Sequence, residues 1–205
     1  YKFGTGSLSV DGSSGCAIAY DDDRWGFGYE NFTVDYQIRY NALPASAATM
    51  TVLGQYENST ANWTWNLTNV TGTYTYTFKY GSTYLIASSS PGLVVNTWYH
   101  MAFVRYLGSW SVYQNGVSLT VSTNVDREIP NLAANLYVGQ RGDGANFVNG
   151  RIDELRISYG IARWIATFTS PTYAYLTDTY STLLLHFDAV PSDPSGSVPW
   201  FNPDG

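Results

Sequence analysis

The side chains able to do chemistry fall into three groups. Carboxylates come first, as a run at Asp21-Asp22-Asp23 and an adjacent pair at Asp153-Glu154. Cutting a glycosidic bond takes two carboxyl groups that flank it. Successive residues on a strand point to opposite faces, so Asp153 and Glu154 are not such a pair. Three consecutive aspartates repel one another and call for solvent or a cation. The run lacks the alternating oxygen ligands of an EF-hand and reads as a solvated loop. Nucleophiles are the second group. Neither His100 nor His186 sits in a nucleophile arrangement, no G-x-S-x-G occurs, and Cys16 has no reactive signature around it. The sequence thus predicts a protein that is not an enzyme. Recognition chemistry is the third group: aromatic rings that stack on sugar faces, with polar side chains that orient hydroxyls. The candidate ligand-binding residues are Trp25, Trp63, Trp65 and Trp110, with Arg141. Core and cross-strand packing claims Trp98, Trp164 and many of the tyrosines.

Composition sets the frame for these groups. The 205 residues suit one all-β domain with a substantial core. Charged residues are only 13% and aromatics reach 17%, a balance that favours pleated, half-buried surfaces. A net charge of −6 argues against nucleic acid and against a basic membrane patch. No apolar run approaches the ~20 residues that would insert across a bilayer. A lone cysteine, Cys16, excludes an internal disulfide and reads as a small buried hydrophobe.

The elements that would position the candidates are strands. Over 150–159 apolar and polar residues alternate strictly, with Ile152, Glu154, Arg156 and Ser158 on one face and Asp153, Leu155, Ile157 and Tyr159 on the other. The spacing of Ile161, Trp164, Ile165 and Phe168 then predicts one short helical turn over 161–168. Residues 33–40 alternate cleanly. Residues 73–78 set an aromatic face against a threonine face, pairing with the preceding strand around Gly72. Asn115-Gly116 is a strong hairpin signal. Residues 182–187 form an apolar run short enough for a central strand. N-x-T sequons at Asn31, Asn58, Asn62, Asn66 and Asn69 read as polar strand and loop residues, in a chain this rich in threonine. After Asp188 the text P-S-D-P-S-G-S-V-P-W-F-N-P-D-G holds no periodicity and reads as a linker or extended arm over 189–205, with Trp200-Phe201 as its anchor onto a neighbour.

Several blocks stand in the order of a known family: K-F-G-T-G-S-L-S-V-D-G at 2–12, F-T-V-D-Y-Q-I-R-Y at 32–40, N-T-W-Y-H-M-A-F-V-R at 96–105, V-Y-Q-N-G-V at 112–117, L-Y-V-G at 136–139 and G-R-I-D-E-L-R-I-S-Y-G from 150. Together they resemble the laminin-G-like, concanavalin A-like domains shared by laminin G modules, pentraxins and many lectins. The resemblance implies an all-β fold over 1–188, a two-sheet antiparallel jelly-roll sandwich. In that family a strand resembling L-L-L-H-F-D precedes the first block; here it stands at 183–188, which suggests a chain cut from a longer protein. The family's glucanase members carry E-x-D-x-E or E-x-D-x-x-E on one strand, and no such text occurs here.

Pentraxins bind calcium with a loop resembling G-Q-E-x-D, and the matching text is Gly139-Gln140-Arg141-Gly142-Asp143. The resemblance therefore makes Asp143, with Glu57 and Asn58, the expected ligands of one Ca2+, although Arg141 puts a cation where the family has a carboxylate. A turn built by Gly142, Asp143, Gly144 and Asn146 explains the same residues without metal. Asp153 is expected to support the fold through loop hydrogen bonds. By resemblance the chain is a non-catalytic recognition module that binds a glycan or surface protein and works at an extracellular, cell-surface or virion location. The alternative is a structural domain, such as a phage decoration, tail or fibre domain or an adhesin repeat, joined to its neighbours by the 189–205 arm.

Overall fold

Period-two patterning dominates the chain, and strands follow it. In chain order the first seven are β1 (Leu8–Asp11), β2 (Ala17–Ala19), β3 (Phe32–Tyr40), β4 (Thr49–Tyr56), β5 (Asn62–Val70), β6 (Thr73–Tyr80) and β7 (Thr83–Ser89). The others are β8 (Trp98–Tyr106), β9 (Ser109–Gln114), β10 (Val117–Ser118), β11 (Val121–Asn124), β12 (Leu136–Val138), β13 (Asn149–Tyr159) and β14 (Ser181–Leu185). The computed structural model describes residues 1–90 and 92–188. The expected arm over 189–205, with Trp200-Phe201, lies outside the described residues.

The strands form two seven-stranded antiparallel sheets. One runs β1-β13-β3-β8-β9-β10, with β14 also paired to β13; the other runs β11-β7-β6-β5-β4-β12-β2. Their inner faces close on one apolar core, the expected jelly-roll sandwich. Its centre is aromatic. Phe103 stacks on Trp65 at 4.5 Å and on Trp110 at 5.1 Å between ring centroids, and Phe27 stacks on Phe32 at 4.1 Å. Local turn chemistry matches the sequence. Thr71-Gly72 and Asn115-Gly116 both take positive φ, as tight hairpins require. The Asn69 side chain accepts the Gly72 N–H at 2.8 Å and so closes the β5–β6 turn.

The anchor strand β13 departs from strict alternation. Its pairing with β3 shifts between Asp153 and Arg156, where β13 spends one residue more than its partner. Glu154 takes φ 51 within this bulge. The phase therefore flips, and Ile152, Leu155 and Ile157 all reach the core, whereas unbroken alternation would have set Ile152 on the opposite face from the other two. Asp153 accepts the backbone N–H groups of Lys2 and Phe3 and pins the N-terminal segment, as expected.

No helix forms over 161–168. Residues 161–180 instead run as an irregular strap across the outer face of the first sheet. Their helix-like spacing has another cause: the chain folds Trp164 and Phe168 onto each other at 4.1 Å, over Ala102, Val104 and Tyr113. The short helical turn lies at Asp23–Trp25, where Asp22 caps it by accepting the Arg24 N–H. The strand at 181–185 is not central either; among the described residues it pairs with β13 alone. Just beyond it, Asp188 accepts the N–H groups of Thr5 and Gly6, which brings the two ends of the sandwich together.

Candidate functional site

Outside the core, each strand of the second sheet turns a polar row outward. On β5 the inward residues are Trp63, Trp65 and Leu67, leaving Asn62, Thr64, Asn66 and Thr68 on the outer face. These four form the floor of a groove of about 390 Å³. Tyr56, Arg141 and Asn146 line it on the β12 side, and Lys79, Ser82 and Tyr84 on the β7 side. Cavities of about 490 Å³ at Pro44–Thr49 and about 150 Å³ at Tyr80–Thr83 share lining residues with it. The three make one trough along β5.

The floor is hydrogen-bonded in place. Thr51 Oγ1 donates to Asn66 Oδ1 at 2.8 Å, Asn66 Nδ2 donates to Thr64 Oγ1 at 3.0 Å, and Thr49 and Thr68 share a hydroxyl bond at 3.0 Å. Such a preset row of neutral donors and acceptors suits a ligand rich in hydroxyls. Gly54 keeps the floor flat: a Cβ there would meet Trp63 O at 2.3 Å. The wall at Arg141 and Asn146 is held by the β4 bulge between Thr51 and Leu53, where the Thr51 N–H donates to Asn146 O at 2.7 Å. Tyr84 is 47% exposed and offers an open ring at the rim, with the Lys79 ammonium 4.8 Å from its centroid.

The expected ligand-binding tryptophans lie elsewhere. Trp25, Trp63, Trp65 and Trp110 are 2%, 0%, 1% and 2% exposed, so none offers a face to a sugar. Each satisfies its indole N–H internally, which is what permits such burial: Trp25 to Tyr20 O, Trp63 to Gln55 Oε1, Trp65 to the Tyr36 hydroxyl and Trp110 to Val125 O. Of the expected ligand contacts, Arg141 does line the groove. The residues that sequence reasoning missed there are Tyr56, Lys79, Tyr84 and Asn146. A signal for the floor was present in the threonine face of 73–78 and its partner strand.

The residues expected to hold calcium do not fit the ion. Arg141 clasps Asp143 through both oxygens at 2.7 Å, and that hydrogen-bonded guanidinium holds the carboxyl below its usual range. Asn58 Oδ1 already accepts from Thr60 N, Thr60 Oγ1 and Ala61 N, closing the β4–β5 turn. Glu57 is exposed beside that turn. Among the described residues no three His, Cys, Asp or Glu side chains come together as a metal site.

Carboxylates elsewhere are also engaged. Glu154 is buried, accepting from Tyr175 N at 2.7 Å and meeting His186 Nδ1 at 2.9 Å. Asp35 takes the Arg156 guanidinium through two bonds of 3.0 Å, with His100 Nε2 at 3.5 Å from the same carboxylate. No described helix is long and apolar enough to cross a membrane.

No curated protein matches the chain. Solved structures do. A putative carbohydrate-binding protein from Bacteroides ovatus is 16% identical with a TM-score of 0.63, over 93% of this chain and 56% of that one. A heptameric SAP-like pentraxin from Limulus polyphemus is 16% identical with a TM-score of 0.58, over 90% of this chain and 93% of that one. Tailspike protein 2 from an Escherichia coli bacteriophage is 14% identical with a TM-score of 0.56, over 92% of this chain but 30% of that one. At these identities the likeness is one of fold. The sequence profile of one family matches residues 11–163, and by that match the chain belongs to the concanavalin A-like lectin/glucanases superfamily.

Proposed function

We propose that the chain is a non-catalytic carbohydrate-binding module that works without calcium at an extracellular or virion surface. The observation that carries this reading is the trough itself: a floor of neutral, oriented Asn and Thr side chains with a rim tyrosine and no carboxylate in its lining. A glycosidase needs a carboxyl pair about the bond to be cut, and this lining has none to offer. The putative carbohydrate-binding protein from Bacteroides ovatus, and the place of tailspike protein 2 in a bacteriophage, agree with the binding and surface parts of the reading.

A glycan array tests it, run with and without EDTA on the chain and on Thr49→Trp. Thr49 stands where the two larger cavities meet, so a bulky ring there blocks the trough. Glycan retention in EDTA that disappears in the variant supports the proposal. Retention that needs calcium, or that survives the blocked trough, sinks it. The second reading, an assembly domain without a small ligand, draws on the strap, where Ile165, Tyr173 and Leu176 stand exposed.

A further inference from the structure

The protein is acidic overall, yet the trough is not. The chain has 16 acidic and 10 basic residues. Even so, the main groove is lined by Lys79 and Arg141, its extension at Tyr80–Thr83 by Arg127, and neither by any Asp or Glu. The cations gather at one end. The β4–β5 and β6–β7 turns meet there, with the Gly81 N–H donating to Asn62 O at 2.8 Å. At the other end the trough is neutral and partly apolar, through Pro44, Ala45, Ala47 and Ala48.

The cations differ in how they are held. Arg141 is neutralised by Asp143. Arg127 lies 4.4 Å over the Tyr80 ring and donates to Thr83 Oγ1. Lys79 is half-buried, rests against Tyr84, and forms no ion pair among the described residues. A lysine held on an aromatic ring beside hydroxyls and amides, with no carboxylate of its own, is set to receive one from outside.

Resting on the carbohydrate-binding reading above, we infer that the trough takes an acidic glycan, with a sugar carboxylate or sulfate on Lys79, Arg127 beside it, and the neutral remainder of the chain along Asn66, Thr68 and Thr49. The trough runs on past Lys79 in both directions, so the ligand is an internal stretch of an extended polymer. Lys79 lies over one face of the Tyr84 ring, so the sugar that carries the anion packs beside that ring with its charge on the ammonium.

The test is affinity electrophoresis in EDTA against polygalacturonate, a sulfated polysaccharide and neutral dextran and xylan. It is run on the chain, on Lys79→Gln, and on Lys2→Gln, which removes the same charge beside the first sheet. The expected result is retention by one acidic polymer at least about tenfold stronger than by the neutral ones, weakened by salt. Lys79→Gln should lose that preference, and Lys2→Gln should keep it. Which acidic polymer responds separates carboxylate from sulfate. Equal retention of neutral and acidic polymers, unchanged in Lys79→Gln, overturns the charge assignment and leaves the carbohydrate reading standing. Acidic retention that falls equally in both variants also overturns it, as a bulk charge effect. No retention of any polymer by a chain with an intact thermal transition defeats both.

Discussion

The two outer faces of the sandwich solve opposite problems. The first sheet turns outward Asp35, Gln37, His100, Arg156 and Ser158, then buries them beneath the strap, where Trp164 and Phe168 meet His100, Tyr175 meets Arg156 and Arg163 meets Ser158. The second turns outward neutral threonines and asparagines, which lie nearly buried among one another on the floor of the trough, with no strap over them among the described residues. A charge taken from water is costly unless paired, so the covered face needs ion pairs such as Arg156–Asp35. A neutral hydroxyl or amide needs only a hydrogen-bond partner, and the floor residues supply one another with these. The covered face therefore holds the fold in place, while the open face is free to recognise.

The sharpest way to break this division is Asp35→Asn, which leaves the mostly buried Arg156 without its counter-charge. Urea denaturation should show a loss of about 3–5 kcal/mol. Glycan retention by the fraction that remains folded should not change. A loss below 1 kcal/mol would mean that the strap does not enforce the pairing. Next comes Trp164→Ala, which removes the stacked partner of Phe168. It should cost about 2 kcal/mol and open residues 161–180 to limited proteolysis. Cleavage elsewhere first would show that the strap is not the cover.

Tyr84→Ala probes the open face. Stability should stay within about 0.5 kcal/mol, and glycan affinity should fall by about tenfold. The reverse pattern, an unfolding defect with binding intact, would erase the contrast between the faces. Acid gives a smaller effect. Asp178 is held far below the usual carboxylate range by Arg163, with help from Ser181 and the Tyr180 N–H. A depressed folded-state value means that this tie stabilises above the unfolded pKa of about 3.9 and is lost as pH falls below it. In an acid titration followed by strap proteolysis, Asp178→Asn should flatten the protection lost below pH ~4. Smallest of all, calcium against EDTA should leave the thermal midpoint unmoved, and Asp143→Ala should cost under about 1 kcal/mol, since its pair with Arg141 is partly exposed. A calcium-dependent rise abolished by Asp143→Ala would restore the metal reading.

The sandwich was legible because period two is written almost continuously from β3 to β13, and the hairpin glycines sit where φ must be positive. The trough was legible only in part. A strand pattern states that two faces differ, and Thr64, Asn66 and Thr68 plainly share one; it does not say which bulky residues a second sheet will cover. Trp63 and Trp65 thus read equally as sugar platforms or as core. The walls come from segments far apart in sequence, Lys79 and Tyr84 on one side and Arg141 and Asn146 on the other, which only the sheet order brings together. The bulge at Glu154 hid for another reason. One inserted residue reverses every later side chain, and nothing in the local text marks it.

The clasp of Asp188 on Thr5 and Gly6 has a topological consequence. Because the chain enters and leaves the sandwich at one place on the first sheet, the closed fold approximates a loop whose ends are already joined. A circular permutant linking these ends and opening the β5–β6 turn at Thr71-Gly72 should keep the sandwich intact. Anything spliced in at the clasp would hang from the first sheet, away from the trough on the second.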